Sequence, residues 1–286
     1  GKEIHMTAED SGGIDYVEIV LDGVARNWIQ LQKGVHEYTI ESGLDDAVHT
    51  LEIHKRTEIL HGSITYLDFA LPEGGEFLAP PAAKAIKLEY FGDSITNGSG
   101  NRHPHEVREA PALDDGYKSY VGISGRMLNA EYQTLAVSGL GMLQDAMGNV
   151  NGLPPHFYDT LGKGSLPWDF SQYIADGVII NLGQNDFFNP IDENQYIAAY
   201  TDFIKEILAK YGSPTVEALL ESAQYHIQLL QKYDFDDIVV SIKASDVQKM
   251  IAVYRAMVQL YAYPLHLGVT EAGDGEDGRI KSAIGI

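Results

Sequence analysis

The feature that most constrains this chain is a break rich in proline and glycine at residues 72–83. The segments 72–75 and 79–83 cannot hold a regular hydrogen-bonded ladder, because proline lacks an N–H donor and glycine has little conformational bias. Before the break, apolar and polar residues alternate in short runs, whereas strand-like and helix-like stretches alternate after it. We therefore predict two domains of different class joined by a linker.

The region before the break repeats its apolar residues with a period of two at 14–21, 34–40 and 49–55. This spacing is typical of antiparallel strands that bury one face. The pair Asp22-Gly23 predicts a tight turn between two such strands, since glycine tolerates a positive φ. We predict a jelly-roll-like β-sandwich over residues 1–78.

The region after the break is predicted to be an α/β domain over residues 84–211. Residues 177–182 form an unbroken apolar run, which favours a parallel strand buried on both faces, and residues 85–91 predict another strand. Helices are expected at 117–128 and 195–211, so strand and helix alternate as in a three-layer α/β/α fold. Ligands of such folds bind at the carboxyl ends of the strands.

The last part of the chain, residues 212–286, shows a second α/β rhythm. Helices are predicted over 214–232 and 246–261, with strands at 237–242 and 265–269. We treat it as a separate α/β segment.

Composition excludes several classes of partner and cofactor. The 41 acidic residues outweigh the 20 basic ones and give a formal charge of -21, which repels phosphate backbones and anionic lipid. Nucleic acid and membrane surfaces are therefore not expected partners. The absence of cysteine excludes a disulfide framework, a cysteine nucleophile and a cysteine-held iron–sulfur cluster. No basic-then-apolar segment opens this sequence, so we expect no signal peptide in it.

Three polar patches are expected at the carboxyl ends of strands. Ser94 lies in a Gly-Asp-Ser triplet directly after the strand at 85–91, where its hydroxyl could reach a substrate carbonyl. Such a triplet alone is equally compatible with a capped turn. Residues 137–141 and 182–186 add glycine N–H groups and the Asn185 amide, which are the donors that stabilise an oxyanion. The three patches together favour acyl transfer at a serine.

These patches resemble the first three conserved blocks of the SGNH (GDSL-type) hydrolases, and residues 47–100 resemble carbohydrate esterase family two. That family joins a β-sandwich to an SGNH domain and deacetylates polysaccharides such as xylan. The resemblance implies Ser94 as nucleophile, an oxyanion hole from Ser94, Gly139 and Asn185, and Asp93 as support of the turn. It implies an acetylated carbohydrate substrate, secretion, and no metal or cofactor.

Three aromatic residues near these patches could stack against a sugar ring, namely Trp168, Phe187 and Phe188. Ordinary packing in the core or a loop is the more common role of such side chains.

The family's general base is missing from its usual place. The family carries an Asp-x-x-His block near its C-terminus. In this chain, the residue three positions before His226 is not acidic, and neither is the residue three positions before His266, so neither histidine belongs to such a block. We expect impaired activity unless His103, His105 or His156 replaces that base.

Residues 212–286 instead resemble the TIM barrel of 4-hydroxy-3-methylbut-2-enyl diphosphate synthase. The resemblance rests on runs such as 235–246 and 264–273, and it implies Lys243 and Glu271 near a diphosphate substrate. A barrel closes with eight strands, and the synthase needs a cysteine-held cluster. We therefore expect no synthase activity and interpret the chain as chimeric, truncated or computationally generated.

Three functions remain open from the sequence. The first is an SGNH O-acetyl esterase, and the second is a non-catalytic carbohydrate-binding module built on the same crevice. The third is a chimeric or designed chain without a ligand of its own.

Overall fold

The structure is a computed structural model that describes residues 2–102, 111–161, 166–212, 214–244 and 246–267. The chain divides into two compact units, Gly1–Tyr211 and Gly212–Ile286. Within the described residues, none of the helices combines the length and the apolar character needed to cross a bilayer.

The first 70 residues form two three-stranded antiparallel sheets, with strands numbered along the chain. One sheet has the order β4-β1-β6 and the other β3-β2-β5. The strands are β1 (Glu3–Asp10), β2 (Tyr16–Leu21), β3 (Val24–Gln30), β4 (Gly34–Ser42), β5 (Leu51–Lys55) and β6 (Ile64–Ala70). Asp22 and Gly23 have φ of 50° and 74°, the backbone of a tight hairpin turn, which confirms that prediction.

Alternation of side chains places one core between the two sheets. Ile4 and Met6 of β1 are buried in the same cluster as Val17 and Ile19 of β2. Because these residues come from different sheets, the sheets pack face to face as a sandwich. The described part of the sandwich holds six strands, whereas a full jelly roll has eight.

The second half of the first unit is built on a parallel sheet of order β8-β7-β9. Its strands are β7 (Ile86–Gly92), β8 (Ala130–Ala136) and β9 (Gly177–Asn181), with helices α1 (Ser94–Asn97), α2 (Tyr120–Met127) and α3 (Glu193–Tyr211). Tyr90 packs in one cluster with Val121 of α2, whereas Phe91 packs with Phe203 of α3. Because neighbouring residues of β7 point to opposite faces, helices cover both faces of the sheet. The predicted three-layer arrangement is observed.

A buried arginine joins the sandwich to the α/β domain. Arg56, 2% exposed, donates hydrogen bonds to the carbonyl oxygens of Asp114 at 2.8 Å and Ala112 at 3.0 Å. Its guanidinium lies 3.8 Å from the buried carboxylate of Glu18. A buried guanidinium is stable only when it is paired in this way.

The second unit contains helices α4 (Val216–Gln231) and α5 (Val247–Leu260) around its own core. Thr215 and Asp246 cap them by accepting backbone N–H bonds from Ala218 and Lys249. The predicted strand at 237–242 is wrong as a continuous strand, because only Val240 pairs, in a parallel bridge with Leu265. Part of the strand predicted at 265–269 lies outside the described residues.

Candidate active site

Ser94 is placed by the tight turn that follows β7. The carboxylate of Asp93 accepts a hydrogen bond from the Ile95 N–H at 2.9 Å and so caps the short helix α1. A side chain at Gly92 would overlap Thr96, so this position needs glycine for the helix to fold back onto the strand. Ser94 is half-buried at the carboxyl edge of the sheet.

Asn185 brings the ends of β7, β8 and β9 together. Its amide, 6% exposed, donates to the Leu140 carbonyl at 2.9 Å and to the Asp93 carboxylate at 3.3 Å. Asp93, next to Ser94, and Leu140, next to Gly139, therefore both accept hydrogen bonds from the Asn185 side chain. The three predicted patches form a single site, although both N–H groups of the Asn185 amide already have partners within the protein.

The turn that carries Gly139 has an open conformation. Gly139 has a φ of +81°, which favours glycine, and a side chain there would meet no other atom within 4 Å. The space on the side of its Cα where a side chain would stand is therefore open. The preceding Val137 N–H donates to the Gly92 carbonyl at 3.2 Å, which fixes this turn beside the end of β7.

The loop after Gly139 is held by Asp186. This buried carboxylate accepts backbone hydrogen bonds from Met142 at 2.6 Å, Leu143 at 2.7 Å and Gln144 at 3.0 Å. Gly141 packs so closely that an added Cβ would lie 2.0 Å from an Asp186 oxygen. No local sequence signal points to this role of Asp186, because its partners lie more than 40 residues away.

Burial raises the pKa of the Asp93 carboxyl, and the nearby charge of Asp186 raises the same pKa, while the N–H of Ile95 opposes the shift. The cause is the loss of water around a charge at the end of a parallel sheet. Asp93 is 2% exposed, and its hydrogen bond with the Ile95 N–H stabilises the turn. Support of the turn is the role that the family resemblance implies for it.

The sandwich contributes Glu58 to the same neighbourhood. One carboxylate oxygen, Oε2, accepts from the Ser138 N–H at 2.9 Å and from the Asn97 amide at 3.0 Å. It thereby ties the residue before Gly139 to the helix that starts at Ser94. No local signal predicts this contact, because Glu58 and Ser138 are 80 residues apart.

Within the described residues, no imidazole forms a hydrogen bond with the Ser94 hydroxyl. His156 bonds Asp159 at 3.1 Å, and His226 and His266 bond the Ser222 carbonyl and the Ser241 hydroxyl in the C-terminal unit. His103 and His105 lie outside the described residues, as does Glu271 of the synthase-like segment. Lys243 is described and is exposed.

Two of the aromatic candidates are on the surface. Phe187 and Phe188 follow the Asn185-Asp186 pair and are 60% and 64% exposed, so neither ring lies in the core. The Phe187 ring contacts Tyr196 edge-on at 5.2 Å. Trp168 is half-buried, and its indole N–H has no hydrogen-bond partner among the described residues.

A three-layer α/β domain with a serine, a glycine turn and an asparagine at one sheet edge has the arrangement of an SGNH hydrolase. Residues 1–81 match the family described as Carbohydrate esterase 2 N-terminal. The chain is 33% identical over 214 residues to Cellulase/esterase CelE of Acetivibrio thermocellus, an alignment that covers 74% of this chain and 26% of that protein. Residues 1–211 therefore resemble carbohydrate esterase family two.

Solved structures show the same fold. A family two carbohydrate esterase from Clostridium thermocellum, solved as an active-site mutant, has a TM-score of 0.70 at 25% identity and covers 100% of this chain and 86% of its own. A structure of a Clostridium thermocellum family two esterase in complex with cellohexaose has a TM-score of 0.71 at 24% identity, covering 99% and 87%.

The C-terminal segment has a different relative. Residues 202–286 match the GcpE TIM-barrel domain. An 82-residue stretch is 62% identical to 4-hydroxy-3-methylbut-2-en-1-yl diphosphate synthase (flavodoxin) of Fusobacterium nucleatum, covering 29% of this chain and 23% of that protein. The chain thus spans about a quarter of the length of the curated relatives it matches. It joins an esterase-like part to a synthase-like part, as a chimera does.

Proposed function

We propose that this chain is a serine esterase that removes O-acetyl groups from carbohydrate, with Ser94 as the nucleophile. The observation that carries the proposal is the Asn185 amide, which bonds the neighbours of both Ser94 and Gly139 and so gathers three strand ends. An ester carbonyl bound beside Ser94 would develop negative charge within reach of these donors.

In this proposal the oxyanion hole consists of the Ser94 and Gly139 N–H groups and the Asn185 amide. Of the two bonds that the amide makes, the one to Asp93 is the longer, at 3.3 Å against 2.9 Å. The N–H group in that bond is the one that an oxyanion would take. Asp93 would keep its bond to the Ile95 N–H and hold the turn during the reaction.

Proton transfer is the weak step of the proposed reaction. A serine hydroxyl needs a base at hydrogen-bond distance, and the described residues supply no imidazole there. Oxyanion stabilisation and binding without the base leave a residual rate enhancement of about 10³–10⁴ over water in related systems. We therefore expect slow turnover, and the three histidines at 103, 105 and 156 are the candidates to replace the base.

The test is hydrolysis of an activated acetyl ester by the full chain and by Ser94→Ala, from about pH 5 to about pH 9. Turnover that disappears in the variant supports Ser94 as nucleophile. Equal rates for the two proteins contradict the esterase proposal. Asn185→Ala should lower turnover about 10²–10³-fold if the amide serves the oxyanion, and Asn189→Ala, in the same loop, is its matched control.

A second function, a carbohydrate-binding module without catalysis, is favoured by the absence of a base beside Ser94 in the described part of the chain. The exposed rings of Phe187 and Phe188 follow Asn185 and Asp186 and offer a surface on which a sugar ring could stack. Titration with cellohexaose and with acetylated xylan distinguishes the two functions. Binding without Ser94-dependent turnover selects the module, and loss of that binding in Phe188→Ala would locate it.

The finer assignments belong to the same proposal. We propose acetylated xylan-like carbohydrate as the substrate class and secretion as the location, both from the family resemblance. For residues 212–286 we propose no synthase activity of their own, because these residues hold no cysteine for the iron–sulfur cluster that the synthase needs.

A further inference from the structure

The turn after β5 and the loop before α2 bring three metal-ligating side chains together. Glu58, His61 and Asp114 each offer a ligand atom, and these atoms lie within 4.8 Å of one another. Both carboxylates are buried, whereas the His61 side chain is 21% exposed. The two carboxylates of the cluster are therefore shielded from solvent, whereas the imidazole is partly accessible to it.

The nearby cations form their ion pairs with other carboxylates. Lys55 pairs with Asp15 at 2.6 Å, and Arg102 pairs with Asp115 at 2.6 Å and with Glu18.

Arg56 is close in space, but it directs its guanidinium to the carbonyl oxygen of Asp114 and to Glu18. In the described part of the chain, no lysine or arginine forms an ion pair with the Glu58 or Asp114 carboxylate. Two buried carboxylates therefore lie beside one imidazole, and that imidazole bonds only the Asp114 carboxylate.

The ligand atoms are oriented by neighbouring groups. Asp114 accepts from the Ser99 hydroxyl at 3.1 Å and from the Gly100 N–H at 3.3 Å through Oδ1, which directs Oδ2 to the His61 Nε2 at 2.9 Å. Hydrogen bonds of this kind fix the orientation of metal ligands in known sites.

Glu58 is held in the same way. Its Oε2 atom accepts from Ser138 and Asn97, which leaves Oε1 without a hydrogen bond among the described residues. The three residues thus offer one imidazole nitrogen and two carboxylate oxygens within 4.8 Å of one another.

We propose that Glu58, His61 and Asp114 bind one divalent transition-metal ion. One imidazole and two carboxylates form a mixed nitrogen and oxygen set, which suits Zn²⁺ or Mn²⁺ better than Ca²⁺ or Mg²⁺, because the latter prefer oxygen ligands alone. Zn–N and Zn–O bonds are about 2.0–2.2 Å long, so two ligands of one ion lie about 3–3.5 Å apart. The 2.9 Å separation of His61 and Asp114 needs only a small opening to admit the ion.

Binding of an ion at this site would also affect the turn that carries Gly139. The ion would fix the Glu58 carboxylate, whose other oxygen holds the N–H of Ser138, the residue before Gly139. The site itself needs neither Ser94 nor its chemistry, so the proposal stands independently of the esterase assignment.

The test is calorimetric titration of the tag-free, chelator-treated full chain with ZnCl₂. The melting temperature of the chain is measured with and without ZnCl₂. We expect one Zn²⁺ per chain and a higher melting temperature in its presence. Because His61→Gln and Glu58→Gln each remove a ligand, either should weaken binding at least about tenfold. His61→Gln is the safer variant for folding, since its ring is partly exposed and the backbone is unchanged.

The matched control is His49→Gln. His49 also pairs with a carboxylate, that of Asp22 at 2.8 Å, but no second carboxylate joins that pair in a metal-ligating group of the described residues. Both His49→Gln and Ser94→Ala should bind Zn²⁺ as the parent does. No binding by the parent, or the same affinity after His61→Gln, would overturn the proposal.

Discussion

The α/β domain and the C-terminal unit have similar alternations of strand-like and helix-like sequence. They differ in how far their strand-like segments pair with one another. β7 pairs with β8 on one side and with β9 on the other. In the described residues of the C-terminal unit, the strand-like run at 237–242 makes one bridge, from Val240 to Leu265. Val239, between the buried Ile238 and Val240, is 63% exposed.

The difference shows that a strand needs neighbours as much as it needs strand-forming residues. Apolar, β-branched sequence favours extended backbone, but its N–H and C=O groups require partner strands. In the described part of the C-terminal unit, this run has one such partner, at Leu265. The helices α4 and α5 do not depend on partner strands, since their backbone bonds are internal and their first turns are capped by Thr215 and Asp246.

The two regions can be measured separately. Both tryptophans, Trp28 and Trp168, lie in residues 1–211, and the segment after residue 211 has none. Tryptophan fluorescence therefore reports unfolding of the first unit, whereas far-ultraviolet circular dichroism reports helices of both units.

The largest effect is expected from Arg56→Ala. The substitution leaves the Asp114 and Ala112 carbonyl oxygens without their donor and removes a charge that faces Glu18. Breaking a buried ion pair on one side costs about 3–5 kcal/mol, so the fluorescence-monitored free energy of unfolding should fall by that amount. Arg26→Ala, on an exposed position of β3, should change it by less than about 0.5 kcal/mol. Similar values for the two variants would refute a stabilising role for this arginine.

Asp186→Ala should have the next largest effect. The variant leaves the N–H groups of Met142, Leu143 and Gln144 without their shared acceptor, which we expect to cost about 2–3 kcal/mol in urea unfolding. Asp145→Ala is the matched control, because this exposed carboxylate also accepts loop N–H bonds from Met147 and Asn149. We expect a smaller loss there, because water can replace an acceptor that faces solvent. A larger loss at Asp145 than at Asp186 would reverse this ranking.

Glu89→Gln should stabilise the first unit at neutral and alkaline pH. Burial raises the pKa of Glu89, while interactions with Tyr211 and Gln133 oppose the shift. Of its two oxygens, Oε1 accepts from Gln133 at 2.7 Å. A raised folded-state pKa means that stability is complete below the unfolded-state pKa and is lost as the pH rises through the folded-state pKa.

The gain from Glu89→Gln should therefore be small near pH 4 and reach about 1–2 kcal/mol near pH 8, as unfolding curves at several pH values would show. Glu221→Gln, on the exposed face of α4, should leave the fluorescence transition unchanged at every pH. A gain that is the same at all pH values would contradict the electrostatic cause.

The smallest effect is expected from Asp246→Ala in the C-terminal unit. Asp246 accepts the Lys249 N–H at 3.0 Å and caps α5, and loss of such a cap costs about 1 kcal/mol. The change should appear in the circular dichroism transition and not in tryptophan fluorescence. Asp202→Ala, on the exposed side of α3, is the control. An equal shift in both signals would mean that the two units unfold together.

Sequence patterns predicted best the strands that are mostly apolar. The buried β2 and the uninterrupted run at β9 were located within a few residues. β3 and β6 were missed because most of their residues are exposed, so their sequences show no buried stripe. β1 was also left out, although Ile4, Met6 and Ala8 alternate in burial along it and carry the usual signal.

Some residues of the candidate site could be proposed from the sequence, and others could not. Ser94, Gly139 and Asn185 could be proposed from sequence, since the carboxyl ends of parallel strands lie on one edge and glycine and asparagine are informative there. Glu58 and Asp186 could not be assigned roles, because their partners are fixed only by the packing of distant segments.

The bonds of Arg56 also bear on the linker at 72–83. Arg56 belongs to the part of the chain before the linker, and the carbonyl oxygens it binds, at Ala112 and Asp114, belong to the part after it. A protease that cuts the exposed linker would nick the backbone without releasing a fragment, and the two pieces would elute together until denatured. We therefore expect the folded protein to stay together without the covalent connection between sandwich and α/β domain.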